Sequence, residues 1–118
     1  VVLRKAYGLG AMALAGGSLH APMAAAAWPT GEFGAMGLEG AVRLGYRKEL
    51  DAQPEGPARE ALFEQLLAEQ VARGAALNIA QTLEIDAVID PADTREWLAR
   101  GLASSRVGEP GGRYVDAW

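Results

Sequence analysis

The chain has no cysteine. That removes disulfides, a thiol nucleophile and any cysteine-based metal site, and it is compatible with the cytosol. The single histidine, His20, excludes His-rich metal clusters and leaves no Ser-His-Asp set to assemble. Aromatic residues make up only 7% of the chain, so few large side chains are available for burial. Positive charge is also short: the net charge is −4, and no basic stripe with interleaved aromatics appears. A nucleic-acid partner is therefore not expected. Nor is there a long hydrophobic run. Residues 8–27 are small and apolar, but His20 and Pro22 interrupt them. Alanine and glycine fall short of the ~20 strongly apolar residues that a spanning helix needs.

What is present fits a small domain or a piece of a larger one, and the opening Val1, in place of methionine, favours a piece. With 118 residues the chain holds one domain at most. Its hydrophobic half is rich in alanine, and 15 glycines break it up. Residues 1–7 read as a strand entering a glycine turn. Residues 10–15 suit a short helix ended by Gly16 and Gly17, and residues 23–28 a buried strand closed by Pro29. Leu38, Val42, Tyr46 and Leu50 recur every four residues, which predicts one helix face. Residues 51–57 form a loop by composition. The clearest helix covers 58–73, with Leu62, Phe63, Leu66, Leu67 and Val71 on one side. A short helix over 75–83 and a strand over 85–89 follow. Asp90 and Pro91 then suit a helix start, Asp as the cap and Pro in the first turn. Over 92–103, Trp97, Leu98 and Leu102 are expected to point inward. The tail, 104–118, reads as an extended arm. Alternating strands and helices imply an α/β arrangement.

The stretch "RKAYGLGAMALAGG", residues 4–17, carries three readings. A charged start and a soft apolar middle resemble a secretory signal, which would place a mature N-terminus near Trp28. Strong signals are richer in leucine. The hexapeptide GLGAMA, Gly8 to Ala13, also fits G-x-G-x-x-A, the dinucleotide-binding turn. That reading needs an unbroken helix after the turn and an acid at the end of the next strand. Glu32 lies at about the right distance, but Gly16, Gly17 and Pro22 interrupt the helix. In the third reading, glycines let backbone N–H groups converge at a helix start and stabilise an oxyanion. A turn that merely permits tight packing is the plain alternative.

Side-chain chemistry is sparse. Asp86, Asp90 and Asp93 lie close together, yet cap and strand-end roles account for them, and no metal site is expected. Glu32 follows WPTG and suits a turn-capping carboxylate. His20 has no acid partner nearby in sequence. If the chain serves an enzyme, its backbone is the better candidate for the chemistry.

Three ordered blocks carry a resemblance: "RKAYGLGAMALAGG", "AWPTGEFGAMGLEGAVRLGYRKEL" and "IDAVIDPADTREWL". From Val1 to about Leu102 the chain resembles the C-terminal end of the carboxyltransferase (beta) subunits of biotin-dependent acyl-CoA carboxylases. The block from Ala27 to Val42 is the most specific, and the closing "RYVDAW" looks like the tail of some members. The resemblance implies a crotonase/ClpP-like α/β fold, with residues 1–103 as the C-terminal portion of the carboxyltransferase C domain and 104–118 as its tail. It also implies transfer of a carboxylate from carboxybiotin to the α-carbon of an acyl-CoA.

In that family two oxyanion holes of backbone N–H groups serve each active site, one for the biotin ureido oxygen and one for the thioester carbonyl. Carried onto this chain, the biotin-side donors are the N–H groups of Leu9 and Gly10, with Gly8, Ala11 and Met12 beside the substrate. Loss of carbon dioxide leaves charge on the ureido oxygen, and the biotin nitrogen can take the α-proton, so no side-chain base is required. Biotin comes on a carrier protein, and the implied partners are that carrier, biotin carboxylase, the acyl-CoA and further copies of a longer subunit. A cytoplasmic location is expected. Many members have Gly-Gly-Ala where this chain has Gly8-Leu9-Gly10, and Met12 stands where a polar or acidic residue is frequent. Family subunits are several times longer, so this chain is expected to hold half a site. The alternatives are a biotin-dependent acyl-CoA decarboxylase subunit and a non-catalytic binding fragment.

Overall fold

A computed structural model of the chain describes residues 1–20 and 22–105. Strand β1, Lys5–Tyr7, runs directly into helix α1, Gly8–Leu14. Strands β2, Ala26–Ala27, and β3, Glu32–Gly34, follow. Four helices come next: α2, Leu38–Gly45; α3, Arg47–Asp51; α4, Pro57–Arg73; and α5, Ala76–Gln81. Strand β4, Ala87–Val88, leads through a 3-10 turn at Pro91–Asp93 into α6, Thr94–Ser104.

The strands pair in parallel, β1 with β3 and β2 with β4. Val2 joins the two pairs: its N–H donates to the Ala26 carbonyl at 2.8 Å, and its carbonyl accepts from the Trp28 N–H at 2.9 Å. Each parallel pairing needs a crossover. Helix α1 lies within the first, and α2 to α5 lie within the second. The expected α/β alternation is therefore present, with strands much shorter than the apolar runs that announce them. Only Ala26 and Ala27 of the 23–28 run have strand geometry.

Two small cores hold these elements. One gathers Ala6, Ala25, Ala27, Phe33, Ala76 and Ile85 around the strands. Its alanines let helix backbone approach the sheet closely, which is how a chain poor in large side chains still packs. The other joins Val42, Leu50 and Leu66, flanked by Tyr46, Leu62, Phe63 and Leu67. The four-residue periodicity over 38–50 thus identifies the inward face. The helix itself is not continuous. At Tyr46 the backbone reaches φ −111° and ψ 27°, immediately after Gly45. The Tyr46 hydroxyl accepts a hydrogen bond from Gln70 Nε2 at 3.2 Å, tying the break to α4. Helix α4 matches its expected span within a residue and has Pro57 in its first turn.

Three further expectations change. Strand β3 was not anticipated, because Glu32-Phe33-Gly34 is too short to alternate visibly. Asp90 caps as expected, its Oδ1 accepting from the Ala92 N–H at 2.8 Å, but the first turn is 3-10. Leu98 and Leu102 do not point inward: they are 45% and 73% exposed. Trp97 is half-buried. Helix α6 also runs one residue past 103, to Ser104, and the expected arm lies outside the described residues from 106 onward.

Candidate active site

The glycine turn is built by two strands and one tight contact. Tyr7 ends β1 in extended geometry, with φ −119° and ψ 132°. Gly8 then takes φ +53°, in the left-handed region. A Cβ at Gly8 would stand 2.7 Å from the Ala35 carbonyl oxygen, so no side chain fits there. Glycine is needed twice over, for the dihedral and for the close approach. The reversal at Gly8 starts α1 at the strand's end. Leu9 and Gly10 consequently fall in the first helical turn, where N–H groups have no intrahelical acceptor.

The side chains of the stretch play other parts. Leu9 is 74% exposed and Met12 41% exposed. A groove of about 740 Å³ is lined by Lys5 to Tyr7 of β1, by Gly10, Ala11 and Leu14 of α1, and by Ala24 to Ala26 at β2. Of the anticipated substrate neighbours, Ala11 borders this groove, whereas Gly8 and Met12 are not among its lining residues. At Gly10 a Cβ would meet nothing within 4 Å. Of the two residues with orphan N–H groups, Gly10 lines this open groove and Leu9 is not among its lining residues.

Residues with other expected roles are mostly structural. Glu32 stands at the start of β3 and accepts a hydrogen bond from the Tyr7 hydroxyl. A ribose-binding acid belongs at the end of its strand, so the dinucleotide reading loses its acid. Asp86 Oδ2 accepts from the Ala25 N–H at 2.7 Å. Among the described residues no cluster of His, Asp and Glu could hold a metal ion. His20 does have an acid partner, Glu84 at 3.4 Å, but both side chains are largely exposed. The partner comes from beyond α5, so local spacing could not reveal it. Trp28 Nε1 donates to Thr94 Oγ1 at 2.8 Å, locking the WPTG turn to the head of α6. None of the described helices is long and apolar enough to cross a membrane.

Comparison with known proteins gives the family and the fold. Residues 1–108 match the model of the carboxyl transferase domain. The chain belongs to the carboxyl transferase domain family. The methylmalonyl-CoA carboxyltransferase 12S subunit of Propionibacterium freudenreichii subsp. shermanii is 41% identical over 102 residues, covering 86% of this chain and 19% of that protein. The biotin-dependent acetyl-/propionyl-coenzyme A carboxylase beta6 subunit of Mycobacterium tuberculosis is 41% identical over 109 residues, covering 89% of this chain and 22% of that protein. Among solved structures, a transcarboxylase 12S structure described as a hexamer assembly superposes with a TM-score of 0.76 at 33% identity, covering 97% of this chain and 22% of that one. A single-chain, multi-domain long-chain acyl-CoA carboxylase superposes with a TM-score of 0.69 at 54% identity, covering 83% of this chain and 9% of that one. The fold of this carboxyl transferase domain is thus the crotonase-like α/β fold of such subunits. The chain spans about a fifth of the length of the curated relatives it matches.

Proposed function

We propose that this chain supplies the biotin-facing part of a carboxyltransferase active site, as a C-terminal portion of a longer acyl-CoA carboxylase subunit. Residues 1–103 form the domain portion, and 104–118 its tail. The observation that carries this reading is the turn at Gly8, which leaves the N–H groups of Leu9 and Gly10 without intrahelical acceptors at the end of β1, with Gly10 lining the groove. Carboxybiotin, delivered on a carrier protein in the cytoplasm, supplies the carboxylate and an electron-rich ureido group. The two N–H groups donate to the oxygen on which charge accumulates. Because the backbone is already fixed by Gly8 and Ala35, the donors need not reorganise as that charge grows. One preorganised donor of this kind is worth ~3–4 kcal/mol in the transition state. Ala11 borders the same space with a small side chain. No side-chain base is assigned, in keeping with the absence of any buried charged residue among those described.

The test uses the full-length subunit with a biotinylated carrier and acetyl-, propionyl- and longer acyl-CoAs. Gly10→Pro removes one donor, whereas Gly10→Ala keeps the N–H and places its methyl in open space. The expected result is a loss of ~100-fold or more in kcat for the proline variant and near-normal transfer for the alanine variant, both folded by circular dichroism. A folded Gly10→Pro enzyme with full activity refutes the donor assignment. Absence of transfer with every acyl-CoA by the wild type favours a decarboxylase or a non-catalytic fragment. The exposed Leu98 and Leu102 of α6 favour the latter as the second reading.

A further inference from the structure

Tyr7 and Glu32 stand 25 residues apart in the chain and meet across the β1–β3 pair. The register sets Lys5 opposite Glu32 and Tyr7 opposite Gly34. Side chains two apart on a strand share a face, so Lys5, Tyr7, Glu32 and Gly34 line one side of the ladder. Tyr7 leans diagonally to Glu32, and its hydroxyl donates to Oε1 in a half-buried setting. Gly34 lies against the Tyr7 ring: a Cβ there would stand 3.4 Å from Tyr7 Cδ1, 3.0 Å from the Met36 carbonyl oxygen and 2.8 Å from Leu38 Cδ2. The Lys5 ammonium lies 5.7 Å from the ring centroid, over the Tyr7 ring. Tyr7 is also the residue immediately before Gly8, so whatever fixes its ring fixes the backbone entering the turn.

We infer that Glu32 is a positioning residue for the Leu9 and Gly10 N–H donors, acting through Tyr7. The inference rests on the proposed biotin-side role of the turn. Glu32 touches no reacting atom in this scheme. Its carboxylate clamps the Tyr7 hydroxyl, the clamped ring holds the end of β1, and the Gly8 reversal aims the two N–H groups. Without the clamp the strand end can shift, and a small misplacement of catalytic groups is costly in rate.

The experiment places Tyr7→Phe, Glu32→Leu, Glu32→Gln and the Tyr7→Phe/Glu32→Leu pair in the full-length subunit. Two readouts are taken: transfer kinetics with a biotinylated carrier, and amide hydrogen exchange in the peptide covering residues 7–14. Tyr7→Phe and Glu32→Leu are each expected to lower kcat about tenfold, with KM for acyl-CoA within about twofold of wild type. The double variant should be no worse than either single one, because both break one contact. Glu32→Gln keeps an acceptor oxygen and should recover most of the rate. Exchange over residues 7–14 should quicken about tenfold in the two single variants that lose the contact. Wild-type kcat with unchanged exchange in Tyr7→Phe overturns the inference, as does a double variant whose loss is the product of the two. If Glu32→Leu fails to fold, Tyr7→Phe, which deletes one oxygen, decides alone. If the wild type shows no transfer, the proposed function falls, and the exchange readout alone decides whether the clamp holds the turn.

Discussion

Replacing Gly8 with alanine isolates the feature on which the site depends. The new side chain meets two separate penalties. Holding a non-glycine residue at φ +53° costs about 1–2 kcal/mol. The methyl would also stand 2.7 Å from the Ala35 carbonyl oxygen. That oxygen belongs to backbone, between β3 and the start of α2, and cannot swing away as a flexible side chain would. Forcing an extra carbon into packed surroundings adds about 1–3 kcal/mol. Together the two penalties amount to about 2–5 kcal/mol. Helix α1 has no fully buried residue with which to offset the loss, so the turn should open locally before the domain unfolds. Hydrogen exchange over residues 8–14 is the direct assay: 2–5 kcal/mol corresponds to exchange faster by roughly 30- to 5000-fold. Helices α2 to α4 pack on their own core and should keep their wild-type protection. Unchanged exchange at α1 in Gly8→Ala would refute both the strained dihedral and the close approach to Ala35.

The helical core gives a cleaner contrast of burial. Val42→Ala, at a fully buried position, should destabilise by about 1.5–3 kcal/mol, while Leu44→Ala, two residues away and 69% exposed, should stay within about 0.5 kcal/mol, both read by denaturant unfolding. Thr94→Val removes the acceptor of the Trp28 indole N–H and should cost about 1 kcal/mol. Trp28 fluorescence should change with it, since the indole then loses its partner.

How much of this was legible beforehand follows from what each residue reports. Helix α4 was plain because Leu62, Phe63, Leu66 and Leu67 repeat on one side of a segment opened by Pro57. The break at Tyr46 was not, because the periodicity of Leu38, Val42 and Leu50 survives it: the chain changes direction while the same face stays inward. Strand β3 offers one buried side chain, Phe33, between two residues of middling exposure, and three residues cannot display an alternation. Leu98 and Leu102 are exposed although their spacing predicts burial, because spacing identifies an apolar face but not what covers it. At the candidate site, the glycine pattern was visible and its chemistry was not, since backbone N–H groups leave no side-chain signature. The family resemblance bridged that gap. The Tyr7 and Glu32 pair was invisible for another reason: nothing in a sequence places residue 7 against residue 32 until β1 and β3 are known to be neighbours.

The part of the helical excursion formed by α2 to α4 has its own core, centred on Val42, Leu50 and Leu66. It is therefore a semi-independent lobe, anchored at both ends on short strands and free to vary at its tip. Residues 52–55, between α3 and α4, are exposed throughout, and this loop lies far from the Gly8 turn in sequence. Lengthening a loop costs only the logarithm of its length. The tip is thus where such a domain can acquire a spectroscopic label, an affinity handle or an inherited insertion while the geometry around Gly8 and Ala35 stays as it is.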